Sequence, residues 1–245
     1  MRPYFEDAGI TIYHADCREI LPLLAPVDVV IADPPYGVTS LVWDRRVEGW
    51  LDLVPARNVW CFGSLRFFMN AAKQFSTWTY AQEIVWEKHN GSMFHADRFR
   101  RVHEFAVQFY KGAWADIWKR AVTTPDATKR TLRRKTRPAH SGHIENGAYA
   151  SDDGGPRLQR SVIYARSEHG TAVHPTQKPV EIIEPLLEYS CPPEGVALDP
   201  MMGSGTTLIA AMRLHRRAIG IEVDERFCAL AAERVRTFAS QAVLL

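Results

Sequence analysis

The sequence predicts an α/β fold with a mainly parallel sheet, and three observations support this. Short runs rich in β-branched residues alternate with helical patterns from Ile10 onwards, as in successive βαβ units. The run Val27 to Ala32 is apolar almost throughout, which is typical of a buried parallel strand. A chain of 245 residues with 46% hydrophobic residues is long enough to bury one such core.

Five strands and one short helix are predicted in the first half of the chain. The helix, Cys17 to Leu24, is amphipathic and follows the first strand. The last two strands are aromatic and close in sequence, so we expect them to form the antiparallel edge of a mixed sheet. The predicted strands are Ile10 to Ala15, Val27 to Ala32, Asn58 to Phe62, Glu83 to Trp86 and Phe105 to Tyr110.

Periodicity stops at about Ala113 and returns after Val173. So long a stretch of Thr, Ser, Gly, Pro and Arg clusters indicates an inserted, loop-rich segment with a role of its own. We therefore expect one domain in two halves, residues 1–112 and 174–245, with residues 113–173 inserted between them. The second half carries predicted helices at Pro179 to Tyr189, Thr206 to Leu214 and Glu225 to Phe238, and strands at Gly195 to Asp199 and Ala218 to Glu222.

The formal net charge of +2 hides a basic run in the inserted segment. Between Lys111 and His143 there are nine Lys or Arg residues against two acids. A solvated surface is the ordinary explanation of such a run, whereas binding to a polyanion is the functional one. We expect contact with nucleic acid from Lys119, Arg120, Lys129, Arg130, Arg133, Arg134, Lys135 and Arg137.

Several classes of protein are disfavoured by composition. No run of about 18 apolar residues is present, and residues 1–7 include charged residues where a signal peptide needs an apolar core. Neither a membrane span nor a signal peptide is therefore predicted, and we expect a cytoplasmic protein. The four cysteines are widely spaced without a C-x-x-C pair, and the histidines lack metal-ligand spacing. We therefore expect four free thiols and no metal site.

A glycine-rich turn follows the predicted strand that ends at Asp199. Gly203 and Gly205 permit a tight turn and a close approach of the backbone to a ligand, and Glu222 ends the next strand, where an acid can accept hydrogen bonds from ribose hydroxyls. Leu208 stands where a dinucleotide motif needs glycine, and the P-loop lysine is missing. A nucleoside with a small carboxylate end, such as S-adenosylmethionine, matches better than either. Asp16, at the end of the first predicted strand, is expected to accept a hydrogen bond from the adenine amino group of such a ligand, and capping of the helix that begins at Cys17 is the alternative.

The segment Asp33-Pro34-Pro35-Tyr36 directly follows a buried strand, so it lies at the carboxyl edge of the sheet. Asp33 and the carbonyl of Pro34 can accept hydrogen bonds from an exocyclic amine, which frees its lone pair for methyl transfer. Pro35 stiffens the loop, and Tyr36 offers a face for an extruded base. A rigid turn with Tyr36 as a packing residue is the alternative. Covalent catalysis by cysteine is disfavoured because no cysteine lies in a corresponding position.

In these motifs the chain resembles the beta-class DNA amino-methyltransferases of bacteria and phages. Four blocks carry the resemblance in order: Asp33 to Gly37, Trp86 to Glu104, His174 to Pro179, and Asp199 to Thr207 followed by Gly220-Ile221-Glu222. The resemblance implies a Rossmann-like, S-adenosylmethionine-dependent methyltransferase fold with a mixed seven-stranded sheet. It also implies a circularly permuted motif order, in which the catalytic motif precedes the cofactor motif. The inserted segment between the two motifs is then expected to recognise the target DNA.

The resemblance also assigns roles to residues. Asp33, Pro34, Pro35 and Tyr36 are expected to act on the target base, and Glu222 to bind the ribose. Met201 departs from the family, whose members commonly have Phe there. Thr176 and Lys178 are expected to enclose the methionine end of the cofactor together with the turn residues Asp199, Pro200, Gly203, Ser204, Gly205, Thr206 and Thr207.

Asp at position 33 resembles the adenine-N6 enzymes more than the cytosine-N4 enzymes, which usually have Ser, so adenine in double-stranded DNA is the expected target. Methylation of cytosine N4, methylation of an RNA base and DNA binding without catalysis are the alternatives. A homodimer and a separate restriction endonuclease are both compatible with the sequence as further partners.

Overall fold

The computed structural model describes residues 2–37, 45–92, 96–133, 148–167 and 177–242. The chain divides into two compact units, Ala121–Arg160 and the remainder. The smaller unit is shorter than the predicted inserted segment, residues 113–173, because the residues on either side of Ala121–Arg160 belong to the larger unit. Within the described residues, no helix combines the length and apolar character needed to cross a membrane.

Five parallel strands form the centre of the larger unit. Their order is β2-β13-β12-β3-β4, so the two strands from the end of the chain lie between strands from its beginning. β3 and β4 are buried along their whole length, as expected for strands covered on both faces. The strands are β2 (Ile10–His14), β3 (Val29–Ala32), β4 (Asn58–Gly63), β12 (Val196–Asp199) and β13 (Arg217–Glu222).

Antiparallel strands extend this sheet at both sides. β6 (Arg101–Tyr110) pairs with β4, and β5 (Thr79–Ser92) pairs with β6, which confirms the predicted antiparallel edge. The described residues form nine strands in this sheet, whereas seven were expected. The two additional strands, β1 (Phe5–Asp7) and β11 (Val162–Tyr164), lie at the outer edges and have three residues each, too few for a recognisable alternation of side chains.

Helices cover both faces of the sheet. The predicted helix from Cys17 is shorter than expected, because Pro22 has no N–H to continue it and a 3₁₀ turn follows. Pro179 lies just before the first residue of its helix and not in it. The helices are α1 (Cys17–Ile20), α2 (Trp50–Leu53), α3 (Leu65–Ala71), α4 (Val180–Ser190), α5 (Thr206–Arg213) and α6 (Glu225–Ala242).

The core consists of two apolar clusters, one on each face of the sheet. Ile31 and Trp60 of the strands belong to the cluster formed with α4, α5 and α6. Val30 and Cys61, which are adjacent to them in the same strands, belong to the cluster formed with α1, α2 and α3. This alternation follows from the pleat of each strand and fixes which residues reach the carboxyl edge. All four cysteines are free and buried in these clusters.

The smaller unit is built from two short antiparallel ladders. β7 (Thr123–Thr124) pairs with β10 (Arg157–Leu158), and β8 (Arg130–Arg133) pairs with β9 (Ala148–Ser151). Among its described residues only Ala127 is a buried hydrophobic residue. The absence of a sustained apolar repeat in the sequence reflects this composition, because local backbone hydrogen bonds and not a core define the unit.

Candidate active site

The Asp33 loop begins where β3 ends. The Tyr36 hydroxyl donates a hydrogen bond of 2.8 Å to Oδ1 of Asp33, and the Tyr36 ring packs on Phe67 at 5.2 Å between ring centroids. Arg46 Nε donates to the Tyr36 carbonyl at 3.3 Å. The loop therefore returns on itself, with the tyrosine held between the carboxylate of its own motif and helix α3.

Lys178 forms an ion pair with the other carboxylate oxygen of Asp33, Oδ2. Its ammonium also lies 3.5 Å from Oε2 of Glu104, and Oε1 of Glu104 lies 2.9 Å from the ammonium of Lys88. The prediction from sequence placed Lys178 beside the methionine end of a cofactor. In the structure its charged group contacts the target-base motif, although its side chain also lines the cavity described below.

These contacts set the ionisation of the groups involved. Burial raises the pKa of the Tyr36 phenol, and the Asp33 carboxylate raises it further, so the hydroxyl stays a donor. Burial tends to lower the pKa of Lys178, but Asp33 and Glu104 outweigh it and the pKa is raised. Burial opposes the ionisation of Glu104, but Lys178 and Lys88 more than compensate and lower its pKa. Lys178 and Glu104 are therefore both charged at neutral pH.

The glycine-rich turn joins β12 to α5 as predicted. Asp199 accepts hydrogen bonds from the Met201 amide at 3.1 Å and the Thr207 hydroxyl at 2.6 Å, which closes the turn around its carboxylate. Gly205 precedes the helix with φ +79°, and a Cβ there would lie 2.9 Å from the Cβ of Ala231. Glycine is required at this position for both reasons.

Glu222 connects the turn to the end of β13. Its carboxylate accepts hydrogen bonds from the backbone amides of Gly203 at 3.0 Å, and of Val223 and Asp224 at 2.9 Å each. Burial raises the pKa of Glu222 against these three donors. A carboxylate has about four acceptor sites, so capacity for a ligand hydroxyl remains.

Ser204 and Gln177 add a further contact between the turn and the segment before α4. The Ser204 hydroxyl donates to Oε1 of Gln177 at 3.2 Å, and Arg234 donates to the Ser204 carbonyl. Gln177 precedes Lys178 in the chain, so the same short segment contacts both the glycine-rich turn and Asp33.

A single cavity of about 250 Å³ joins the Asp33 loop to the glycine-rich turn. Asp33, Tyr36, Asp199 and Glu222 all line it, so the described structure brings together residues that lie up to 189 positions apart in the chain. Its remaining lining is largely apolar. Sequence reasoning gave no role to several residues on its wall, namely Phe62, Glu104, Gln177, Met202, Asp224 and Phe227.

A signal for some of these residues was present in the sequence. Glu104 and Gln177 fall inside blocks that carry the family resemblance, and Phe62 is the last residue of a predicted strand. Asp224 and Phe227 lie beyond the strand that ends at Glu222, where α6 begins, and nothing in their spacing marked them.

Asp16 lies outside this cavity. It precedes α1 and accepts hydrogen bonds from the amide of Arg18 at 2.9 Å and from its guanidinium. Arg18 thereby lowers the pKa of Asp16. The geometry favours the helix-capping alternative over the ligand role that was expected.

The expected DNA-binding residues differ in their surroundings. Lys119 donates to the carbonyls of Trp114 and Ile117, and Arg120 pairs with Glu188 at 2.7 Å, so both serve the larger unit. The side chains of three others in the smaller unit are exposed, namely Lys129, Arg130 and Arg133. The remaining expected residues, Thr176 at the cofactor and Arg134, Lys135 and Arg137 at DNA, lie outside the described residues.

Asp199 provides a test of the cavity's electrostatics. Burial raises its pKa to about 7 from the usual 3.8, so the folded protein holds a proton that the unfolded chain releases. The wild type should lose stability as pH rises between these values, and Asp199→Asn should not. Urea unfolding measures the free energy of unfolding of both proteins at each pH. The value for the variant minus the value for wild type should increase by on the order of 2 kcal/mol between pH 5 and pH 8. Exposed Asp7→Asn is the control; parallel profiles for wild type and Asp199→Asn would contradict this assignment.

Known proteins share both the sequence pattern and the fold. The DNA methylase family model, which covers the N6 and N4 enzymes, matches residues 27–233. Type II methyltransferase M2.LlaDCHI of Lactococcus lactis subsp. cremoris is 24% identical, covering 98% of this chain and 94% of its own. M.ScaI of Streptomyces caespitosus is 25% identical, covering 97% and 85%.

Solved structures agree with this match. The M1.HpyAVI–SAM complex aligns with a TM-score of 0.60 at 27% identity, covering 92% of this chain and 98% of that one. The cytosine-N4-specific PvuII DNA methyltransferase aligns with a TM-score of 0.59 at 15% identity, covering 94% and 88%, and thus shares the fold. The chain accordingly belongs to the DNA methylase family of N6 and N4 amino-methyltransferases.

Proposed function

We propose that this DNA methyltransferase transfers a methyl group from S-adenosylmethionine to N6 of adenine in double-stranded DNA. One observation carries the proposal: the Asp33 loop and the acids of the glycine-rich turn line the same cavity. A group bound at the turn and a base bound at the loop would therefore meet without a large movement of the chain.

The residues at the turn fit S-adenosylmethionine in their chemistry. Asp199 can accept hydrogen bonds from an ammonium group, and Glu222 can accept them from ribose hydroxyls. Between these two acids, Gly203 has no side chain, so a ligand can approach the backbone closely there. Apolar side chains such as Phe62, Met202 and Phe227 supply the rest of the lining. When bound there, the cofactor supplies an electrophilic methyl group on a positively charged sulfur.

The chemistry that remains falls to the Asp33 loop. With the cofactor bound, the lone pair of the base amine would form the new N–C bond while the methyl–sulfur bond breaks and leaves its electrons on sulfur. The amine would then lose one proton to its hydrogen-bond acceptor, the Asp33 carboxylate, and from there to solvent. Asp33 and the Pro34 carbonyl accept hydrogen bonds from the two amine hydrogens, which keeps the lone pair out of conjugation with the ring. Asp33 is prepared for this role because Tyr36 and Lys178 already hold both of its oxygens in place.

Asp33 also supports adenine over cytosine, since the cytosine-N4 enzymes that this chain resembles usually have Ser at this position. The fold does not distinguish the two targets, because the cytosine-N4-specific PvuII enzyme has it as well. Cytosine N4 is therefore the second candidate.

The target can be identified directly. The wild-type protein is incubated with methyl-labelled S-adenosylmethionine and either DNA or RNA, and the product is digested to nucleosides. We expect labelled N6-methyladenine from DNA. Labelled N4-methylcytosine or labelled RNA alone would overturn the proposed target, and the absence of any transfer would support DNA binding without catalysis.

Asp33→Asn should separate catalysis from cofactor binding. The amide replaces one acceptor oxygen by a donor, so the rate of transfer should fall by roughly a hundredfold or more, while the Kd for S-adenosylmethionine changes by less than about threefold. Rapid-quench kinetics and calorimetry measure the two quantities, with exposed Asp7→Asn as the control. An equal loss of both would show that Asp33 serves the cofactor.

DNA binding by the smaller unit is expected to depend on its exposed cations. If Arg130 and Arg133 contact phosphates, replacing both with Gln should weaken binding and reduce the slope of log K against log salt by roughly two. Lys73→Gln, an exposed cation of the larger unit, is the control and should leave the slope unchanged. An unchanged slope in the double variant would mean that this basic run is only solvated surface.

A further inference from the structure

Four side chains of alternating charge form a chain of ion pairs, and three of them, Asp33, Glu104 and Lys178, line the cavity. Lys88 lies 2.9 Å from Glu104, Glu104 lies 3.5 Å from Lys178, and Lys178 pairs with Asp33. They come from four separate segments: β5, β6, the residues before α4, and the loop after β3. Only Asp33 was assigned a role at the target base, so the other three require an explanation.

The inner members of this chain are well buried. The side chain of Lys178 is 9% exposed and that of Glu104 is 13% exposed. Isolated charges at such depth are costly, and their presence requires compensating partners with defined positions. The two ammonium groups also lie against aromatic rings: Lys88 is 4.4 Å from the ring centroid of Trp86, and Lys178 is 5.3 Å from that of Phe62. Side-chain positions along this chain of ion pairs are therefore closely restricted.

Glu104 interacts with its two lysines unequally. Its Oε1 is close to Lys88, whereas its buried Oε2 makes no hydrogen bond to any of the described residues. Oε2 lies 3.5 Å from the Lys178 ammonium, so the two groups attract each other electrostatically. Lys178 still donates its hydrogen bond to Asp33. Glu104 thus attracts the ammonium without removing it from Asp33.

This arrangement affects how strongly Asp33 can accept hydrogen bonds. A lysine paired with Asp33 alone would neutralise most of its charge and weaken it as an acceptor for the base amine. Because Lys178 shares its charge between two carboxylates, Asp33 keeps more of its negative charge while its orientation stays fixed. Lys88 in turn compensates the charge of Glu104, which allows Glu104 to remain ionised in the wall of the cavity.

We propose that Glu104 is a positioning residue of the methyl transfer, which acts on Asp33 through Lys178 and is itself held by Lys88. The inference rests on the proposed function, since it assumes that Asp33 accepts hydrogen bonds from the target amine. Glu104 does not need to contact either the base or the cofactor in this role.

The test compares Glu104→Gln in two backgrounds. In the wild-type background, the transfer rate at saturating DNA and S-adenosylmethionine should fall roughly tenfold, with the cofactor Kd unchanged within about threefold. In the Lys178→Met background, the same substitution should cause no further loss of rate, because the lysine through which Glu104 acts on Asp33 is absent. Glu104→Asp, which keeps the charge, should restore much of the rate.

Glu87→Gln is the matched control, since Glu87 is an exposed glutamate on the neighbouring strand that does not line the cavity, and its rate should equal that of wild type. An undiminished rate in folded Glu104→Gln, a loss that adds fully to that of Lys178→Met, or a loss confined to cofactor affinity would each overturn the proposal. If Glu104→Gln alone fails to fold, the double variant compared with Lys178→Met decides, and a further tenfold loss there overturns it.

The outcome is separable from that of the proposed function. The methylated base made by the wild type is identified in the same experiment, and the coupling is measured on that product. Formation of N4-methylcytosine would overturn the adenine target, while the non-additivity of Glu104 and Lys178 would still be read on cytosine.

Discussion

The partly buried ion pair between Lys178 and Asp33 is the interaction on which the candidate site depends. It joins two segments 145 residues apart, the loop after β3 and the residues that lead into α4. Neither charge could be buried alone, so the pair fixes one segment against the other. The adjacent Gln177 contacts Ser204 of the glycine-rich turn, and the same short segment thereby brings the two parts of the cavity wall together.

Polar contacts shape the cavity, whereas apolar contacts determine where it can form. The buried strands β3 and β12 bring Asp33 and Asp199 to one edge of the sheet, which is where ligands bind in open α/β folds. At that edge Glu222 accepts hydrogen bonds from three backbone amides, and Asp199 accepts hydrogen bonds from one backbone amide and one hydroxyl. These bonds set the path of the turn. Burial of Asp199 raises its pKa to about 7, which leaves an acceptor that a cationic ligand would help to ionise.

Sequence reasoning succeeded where the signal was local. The apolar run of β3 and the glycine-rich turn before α5 could both be predicted, because each is specified by neighbouring residues. Helix α3 was missed although Ser64 caps it, since seven residues give little periodicity. Lys178 was assigned to the cofactor from the family resemblance. In the folded protein the ammonium of Lys178 contacts Asp33 and Glu104, which lie far from it in sequence. These contacts could not be predicted from the sequence alone.

The most direct test of this account is therefore a comparison of cofactor affinity and transfer rate in Lys178→Met. If Lys178 serves Asp33, the transfer rate should fall at least tenfold while the Kd for S-adenosylmethionine stays within about threefold of wild type. Lys73→Met, at an exposed position, controls for the substitution itself. A loss of cofactor affinity as large as the loss of rate would contradict the account and return Lys178 to the cofactor role expected from its sequence.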